Sequence, residues 1–258
     1  MLVIRQEQME VFRQATRTAF ENEMVMHSMD FSPRLCEVIG EEQLRMALLR
    51  AMDRADGYGF TNRGPMRLFI ELMFLFGSAF DTDLQYPWAA QILHASDDQM
   101  QRAERLYENT LDYQENVSGP ADTNTYKALR NLSSLAQQPL SFSLNDFVPG
   151  MFREMAHIFP QKVAYLGEER LHALIREGCT VAQRFQFLTD RGYALVVALM
   201  FAFGHGCTDD PLYPWIARTL QDEKIIDPAA RAKRLEGKAL TWLDHVLASP
   251  LKKEPQDD

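Results

Sequence analysis

The sequence predicts an all-α protein built as two similar multi-helix halves, and three observations carry that prediction. Apolar residues recur at spacings of three and four. No segment alternates with a sustained period of two. The chain also repeats itself at a fixed offset. Gly40-Glu41-Glu42-Gln43-Leu44 returns as Gly167-Glu168-Glu169-Arg170-Leu171. Leu72-Met73-Phe74-Leu75-Phe76-Gly77 returns as Leu199-Met200-Phe201-Ala202-Phe203-Gly204, and Tyr86-Pro87-Trp88 as Tyr213-Pro214-Trp215, each 127 residues later. Aligning 20–93 with 147–220 needs no gap and gives 21 identities in 74 pairs. Unrelated chains of ordinary composition would match at roughly four or five. A further match, Arg102-Ala103-Glu104-Arg105-Leu106 against Arg231-Ala232-Lys233-Arg234-Leu235, follows at an offset of 129. The pattern predicts a tandem duplication: a first helical unit over 1–120, a connecting helix and linker over 121–144, a second unit over 145–248 and a charged tail over 249–258.

Each element has a local reason. A first helix is expected over 6–29. Ser32 supplies an N-cap and Pro33 the first position of a short helix to Ile39, which Gly40 breaks. Glu41 and Glu42 then favour the positive end of the next helix. Leu44, Leu48, Ala51, Met52 and Ala55 form its buried stripe, with Leu171, Leu174, Ile175, Gly178 and Ala182 as counterparts. The helix over 65–76 is apolar on nearly every side, and its counterpart over 193–203 entirely so. A helix without a polar face must be surrounded, so this pair is expected at the centre of each unit. Gly77 and Gly204 stop these helices. Tyr86, Pro87 and Trp88, like Tyr213, Pro214 and Trp215, read as packing anchors, because an element kept in both copies serves the fold. Charged amphipathic helices over 97–117 and 227–247, each begun by an acidic residue, close the units.

Composition narrows the function classes. With 258 residues and 46% hydrophobic side chains, the chain is large enough to bury roughly three quarters of its unfolded surface. Lys and Arg number 27 against 36 Asp and Glu, a net charge of −9. That argues against nucleic acid, which requires a basic face, and is compatible with a basic protein partner. The longest apolar runs, 68–76 and 194–203, are about half the ~20 residues a membrane span needs. The first residues lack the charged lead, apolar stretch and cleavage site of a secretory leader. Cys36, Cys179 and Cys207 are odd in number, without CxxC spacing. Reduced thiols and a cytoplasmic location are expected.

Three groups of residues invite a chemical reading. Asp81-Thr82-Asp83 and its counterpart Thr208-Asp209-Asp210 place close carboxylates in a loop, as Mg²⁺ or Ca²⁺ would need. Two acids are too few, and the competing expectation is that they satisfy backbone amides before the next helix. Glu71 stands among apolar neighbours, where burial would raise its pKa. Its counterpart is Ala198, and the alternative is an edge position paired with an arginine such as Arg67. A di-iron site would need repeated Glu-x-x-His pairs, and Glu154–His157 is a single one. In Gly204-His205-Gly206-Cys207 a thiol lies near a base, but no third group orients it. Phe80 at the equivalent place suggests that Cys207 packs as a small hydrophobe. No metal, cofactor or catalytic constellation is therefore expected.

Tyr58-Gly59-Phe60, the run from Leu72 to Gly77, Phe80-Asp81-Thr82-Asp83 and Tyr86-Pro87-Trp88, with the N-terminal Ile4-Arg5-Gln6-Glu7-Gln8-Met9, are similar to a group of uncharacterised all-helical bacterial proteins. That group is often encoded beside type VI secretion spike and effector genes. The resemblance covers most of the first copy and, more loosely, the second, where Gln186 replaces Gly59 and Cys207 replaces Phe80. It implies a context of toxin delivery or neutralisation and carries over no catalytic residue. The leading expectation is a non-catalytic protein-binding module, an immunity protein or an adaptor or chaperone for a secreted effector with a basic domain. Arg63, Arg67, Asp81, Asp83, Arg191, His205, Asp209 and Asp210 are its candidate interaction surface. Two alternatives stay open. One is an enzyme with a site between the halves drawn from Glu71, Asp81, Asp83, His205 and Cys207; the other is a structural homodimer.

Overall fold

The computed structural model describes residues 6–248 and is all-helical, with twelve α-helices and no strand among them. The leader-free N-terminus and the charged tail expected from the sequence concern residues outside this range. No described helix is long and apolar enough to cross a membrane.

The first helix, α1 (Gln6–Phe31), runs two residues past the predicted end. Pro33 opens α2 (Pro33–Ile39), but Ser32 makes no side-chain cap, contrary to the expectation from Ser-Pro. Gly40, at φ 77°, breaks the chain before α3 (Glu41–Gly57), whose predicted stripe of Leu44, Leu48, Ala51, Met52 and Ala55 is buried. The apolar helix α4 (Arg63–Phe76) packs on α3, α1 and α6 (Gln99–Tyr113). It is not surrounded as expected. Leu75 is exposed, and Glu71 and Phe74 are only part-buried, because these three neighbours leave one edge in water. Pro87 begins α5 (Pro87–Leu93). Helix α6 starts after Asp98, not Asp97. Asp98 and Gln101 close a capping box, which satisfies amides that would otherwise lack partners. The end of α6 widens into a π turn over Gln114–Ser118. The connecting helix is α7 (Thr123–Ala136), packed against α8 (Phe147–Ile158) and α12 (Pro228–Ala248).

Several positions 127 residues apart share a backbone conformation. In α9 (Pro160–Arg184), Gly167 takes φ 76° and interrupts the helix as Gly40 does between α2 and α3. Gln186 adopts φ 59° where the first half has Gly59 at φ 75°. Then come α10 (Asp190–Phe203), which packs on α9, and α11 (Pro214–Leu220), which packs on α12. The residues before the prolines, Tyr86 (φ −127°, ψ 58°) and Tyr213 (φ −124°, ψ 54°), share one backbone conformation. Two aromatic clusters also correspond. Phe76 packs on Tyr86, Trp88 and Tyr113, and Phe203 packs on Tyr213, Trp215 and Trp242.

The ends of α4 and α10 meet at the centre. A Cβ on Gly77 would lie 2.5 Å from the Phe203 carbonyl oxygen, and one on Gly204 would lie 2.7 Å from that of Phe76. Only glycine permits both this approach and φ values of 95° and 92°.

Candidate functional site

The acidic loops meet at this junction, and most of their carboxylates face inward. Asp83 accepts from its own loop at Gln85 N (2.8 Å) and from the other half at His205 N (2.7 Å), with Gln85 Nε2 at 3.1 Å. Asp210 accepts from Leu212 N (2.8 Å), and across the junction from Ser78 N (2.8 Å) and Ser78 Oγ (2.6 Å). Each carboxylate therefore closes its own turn and receives the amide that follows the other half's glycine. Burial raises the Asp210 pKa, while its three hydrogen bonds oppose the rise. Asp81 is buried as well, accepting from Arg54 Nε (2.5 Å) and Tyr58 Oη (2.8 Å). Burial, and then the Asp81 carboxylate, push Tyr58 up to about 12.

This corrects the expected interaction surface. Asp83 and Asp210 have no face to offer a partner, because their oxygens serve donors inside the chain, and Asp81 is fully buried, with Oδ2 held by Arg54 and Tyr58 and Oδ1 without a partner among the described residues. Of the acidic loop residues expected there, Asp209 is exposed. The arginines are engaged within the chain. Arg63 pairs with Glu23, and Arg67 with Glu71 at 2.9 Å. Arg191 holds Glu236 and the carbonyls of Ala136 and Gln138, tying α10 to α12 and the end of α7. Glu71 is an edge carboxylate shared by Arg67 and His27 (2.7 Å).

His205 joins the halves differently. Its ring places Nε2 3.1 Å from Thr82 Oγ1 and Nδ1 3.2 Å from Glu177 Oε1, forming a hydroxyl–imidazole–carboxylate line. A hydrolase built on such a line also needs donors for a developing oxyanion. The adjacent loop amides, Ser78 N and His205 N, are already taken by Asp210 and Asp83. Cys207 is fully buried, and desolvation raises its thiol well above the ordinary value, which removes it as a nucleophile at neutral pH. Among the described residues, no three His, Cys, Asp or Glu side chains gather as metal ligands would.

Behind the junction lies a cavity of about 650 Å³ between the halves. Rings of both aromatic clusters line it, including Phe76, Tyr86, Tyr113, Phe203, Tyr213 and Trp242. Lys162, on α9, reaches this space and is 4% exposed. Its Nζ donates to the Phe201 carbonyl (2.6 Å), one of the last carbonyls of α10, and lies 4.8 Å from the Phe201 ring centre and 5.5 Å from that of Tyr86. Desolvation lowers its pKa to about 8, and the more distant Asp83 only partly opposes this. Met200, the preceding residue on α10, gives its carbonyl to Gln85 Nε2 (3.1 Å). The end of α10 is thus capped by polar side chains rather than by water.

Reasoning from sequence missed Lys162, Gln85 and Glu177. Two of these had a signal: 127 residues away, Lys162 aligns with Leu35 and Gln85 with Leu212, so each is polar where its counterpart is apolar. The chain matches no protein-family model, no curated protein and no solved structure.

Proposed function

We propose that the chain is a non-catalytic protein-binding module whose docking element is the exposed half of α1. One observation carries this reading. Over 9–19, α1 stands in water on every side except at Arg17, which pairs with Asp53, and packing begins only at Phe20. Met9, Val11 and Phe12 are 42%, 68% and 62% exposed. A short helix gains little stability alone in water, and Met9 and Phe12, three residues apart, share one face of it that can insert into a partner's groove. The counterpart helix α8 begins at Phe147, 127 residues after Phe20, so the exposed stretch has no equivalent in the second half. The net charge of −9 favours a basic partner. The resemblance to proteins encoded beside type VI effectors supplies the partner class, a secreted effector domain.

The test is co-purification with the neighbouring effector. The wild-type chain is expected to capture it. Val11→Asp with Phe12→Asp is expected to leave the melting temperature unchanged and abolish capture. Failure of the wild type to bind, or undiminished capture by the variant, would sink the reading. Rescue of growth on co-expression identifies an immunity protein; restored secretion without rescue identifies an adaptor.

We also infer that the two halves arose by tandem duplication. The shared backbone conformations at Gly40 and Gly167, Gly77 and Gly204, and Tyr86 and Tyr213 support it, as do the reciprocal Asp83 and Asp210 contacts. An experimental structure in which 20–93 and 147–220 fail to superpose helix for helix would refute it. A rival reading, an enzyme with a site between the halves, is favoured by the Thr82–His205–Glu177 line. Turnover of an activated ester that Thr82→Ala and His205→Ala both abolish would establish it over the binding module.

A further inference from the structure

We infer that the central cavity is a binding site for an aromatic monocarboxylate, with Lys162 as its anion anchor and the two aromatic clusters as its walls. This stands apart from the docking role of α1. The cavity volume, about 650 Å³, falls in the range of small-molecule sites. Eleven of its lining residues are aromatic, among them Phe76, Tyr86 and Phe203, so a ligand with a flat apolar body finds stacking partners there.

The anchor is the unusual part. An ammonium has three donors, and Lys162 spends one on the Phe201 carbonyl. Among the described residues no carboxylate forms an ion pair with it. Asp83 acts on it only through space, because its oxygens are engaged by Gln85 and His205. Capping α10 does not by itself explain a buried charge, since a neutral side chain serves the adjacent Met200 carbonyl. A buried cation without a counter-ion is costly, and a bound carboxylate would both neutralise it and accept its remaining donors. The counterpart of Lys162 is Leu35, so the fold itself does not require a cation at this position.

The experiment is calorimetric titration of the full chain with 2-naphthoate and with the matched neutral alcohol, 2-naphthylmethanol. The acid is expected to bind about tenfold or more tightly than the alcohol, the scale of a charge-assisted contact. Lys162→Met, which keeps an apolar stem in place, should erase that preference. Ala198→Phe, which adds a ring to the cavity wall and leaves the Lys162 charge in the chain, should weaken both ligands. If Lys162→Met does not fold, the acid–alcohol comparison in wild type and Ala198→Phe decides. Absence of acid binding, equal affinity for both ligands in the wild type, a preference that survives Lys162→Met, or binding undiminished by Ala198→Phe would overturn the assignment.

Discussion

Asp210→Ala is the most direct challenge to the junction between the halves. The substitution removes three hydrogen bonds and leaves the amides of Ser78 and Leu212 with no acceptor in the interior. Hydrogen bonds to a charged group contribute about 1.5–3 kcal/mol each, which sets a gross loss of roughly 5 kcal/mol or more. Removing a desolvated carboxylate, whose pKa is raised by burial, recovers part of this, so a net cost of about 3–4 kcal/mol is expected. For a chain of this size that corresponds to a fall in melting temperature of about 10 °C. Asp83→Ala should cost a similar amount, since it also loses three hydrogen bonds, one of them across the junction. The two side chains serve the same pair of loops, so the double variant should lose less than the sum of the singles. Asp210→Asn should fall between, because its amide would face the Ser78 N–H donor. Differential scanning calorimetry measures all four proteins. Either alanine variant melting within about 2 °C of wild type would refute the cross-capping account.

Three further outcomes are expected. Gly77→Ala and Gly204→Ala should each cost about 3 kcal/mol or more, because a Cβ meets a backbone carbonyl at 2.5 or 2.7 Å. Gly40→Ala, with open space at φ 77°, should cost about 1–2 kcal/mol; chemical denaturation ranks the three. Lys162 binds its proton less tightly folded (about 8) than unfolded (10.5), so above about pH 8 the unfolded chain holds more protons and stability rises with pH. The gain saturates near about 3 kcal/mol by pH 10.5. Tyr86, Tyr113 and Tyr213, all raised by burial, act oppositely above about pH 10, so the effect is read as the difference between wild type and Lys162→Met. A difference that does not change between pH 7 and pH 10 would contradict the burial of Lys162. In a thiol-labelling assay at pH 8, Cys207 and Cys36 should stay unmodified in the native protein and Cys179 should react slowly. Burial raises all three thiols, Cys36 to about 11, but only Cys179 is part-exposed.

The periodicity of the apolar residues was enough to place most helices, and the failures are local. Ser32 was expected to cap α2, yet its ψ of 65° accompanies a Ser-Pro entry with no side-chain bond. Helix α4 was expected to be enclosed because its sequence is almost wholly apolar; Leu75 shows that an apolar sequence does not guarantee neighbours on every side. Three acids of the expected surface, Asp81, Asp83 and Asp210, are buried for a different reason. Asp83 and Asp210 accept from Gln85 N and Leu212 N, two residues on, as the expectation that these acids satisfy backbone amides before the next helix has it; spacing along the chain does not show the further donors that bury them. The donors to the three acids include Arg54, Ser78 and His205, the last two supplied from the opposite half of the chain.

What the sequence determined by itself was helical content, the places where helices break and the offset at which the pattern returns. All of these follow from short-range spacing, from proline and glycine backbone limits, and from identity between aligned residues. What only the tertiary structure decided was which polar groups are buried and with whom. That the two glycine turns touch, that Asp83 and Asp210 exchange amides, and that the buried Lys162 ammonium meets the Phe201 carbonyl all depend on groups many residues apart along the chain being brought within a few ångströms. Desolvation and hydrogen bonding act over those ångströms, and spacing along the sequence does not encode them.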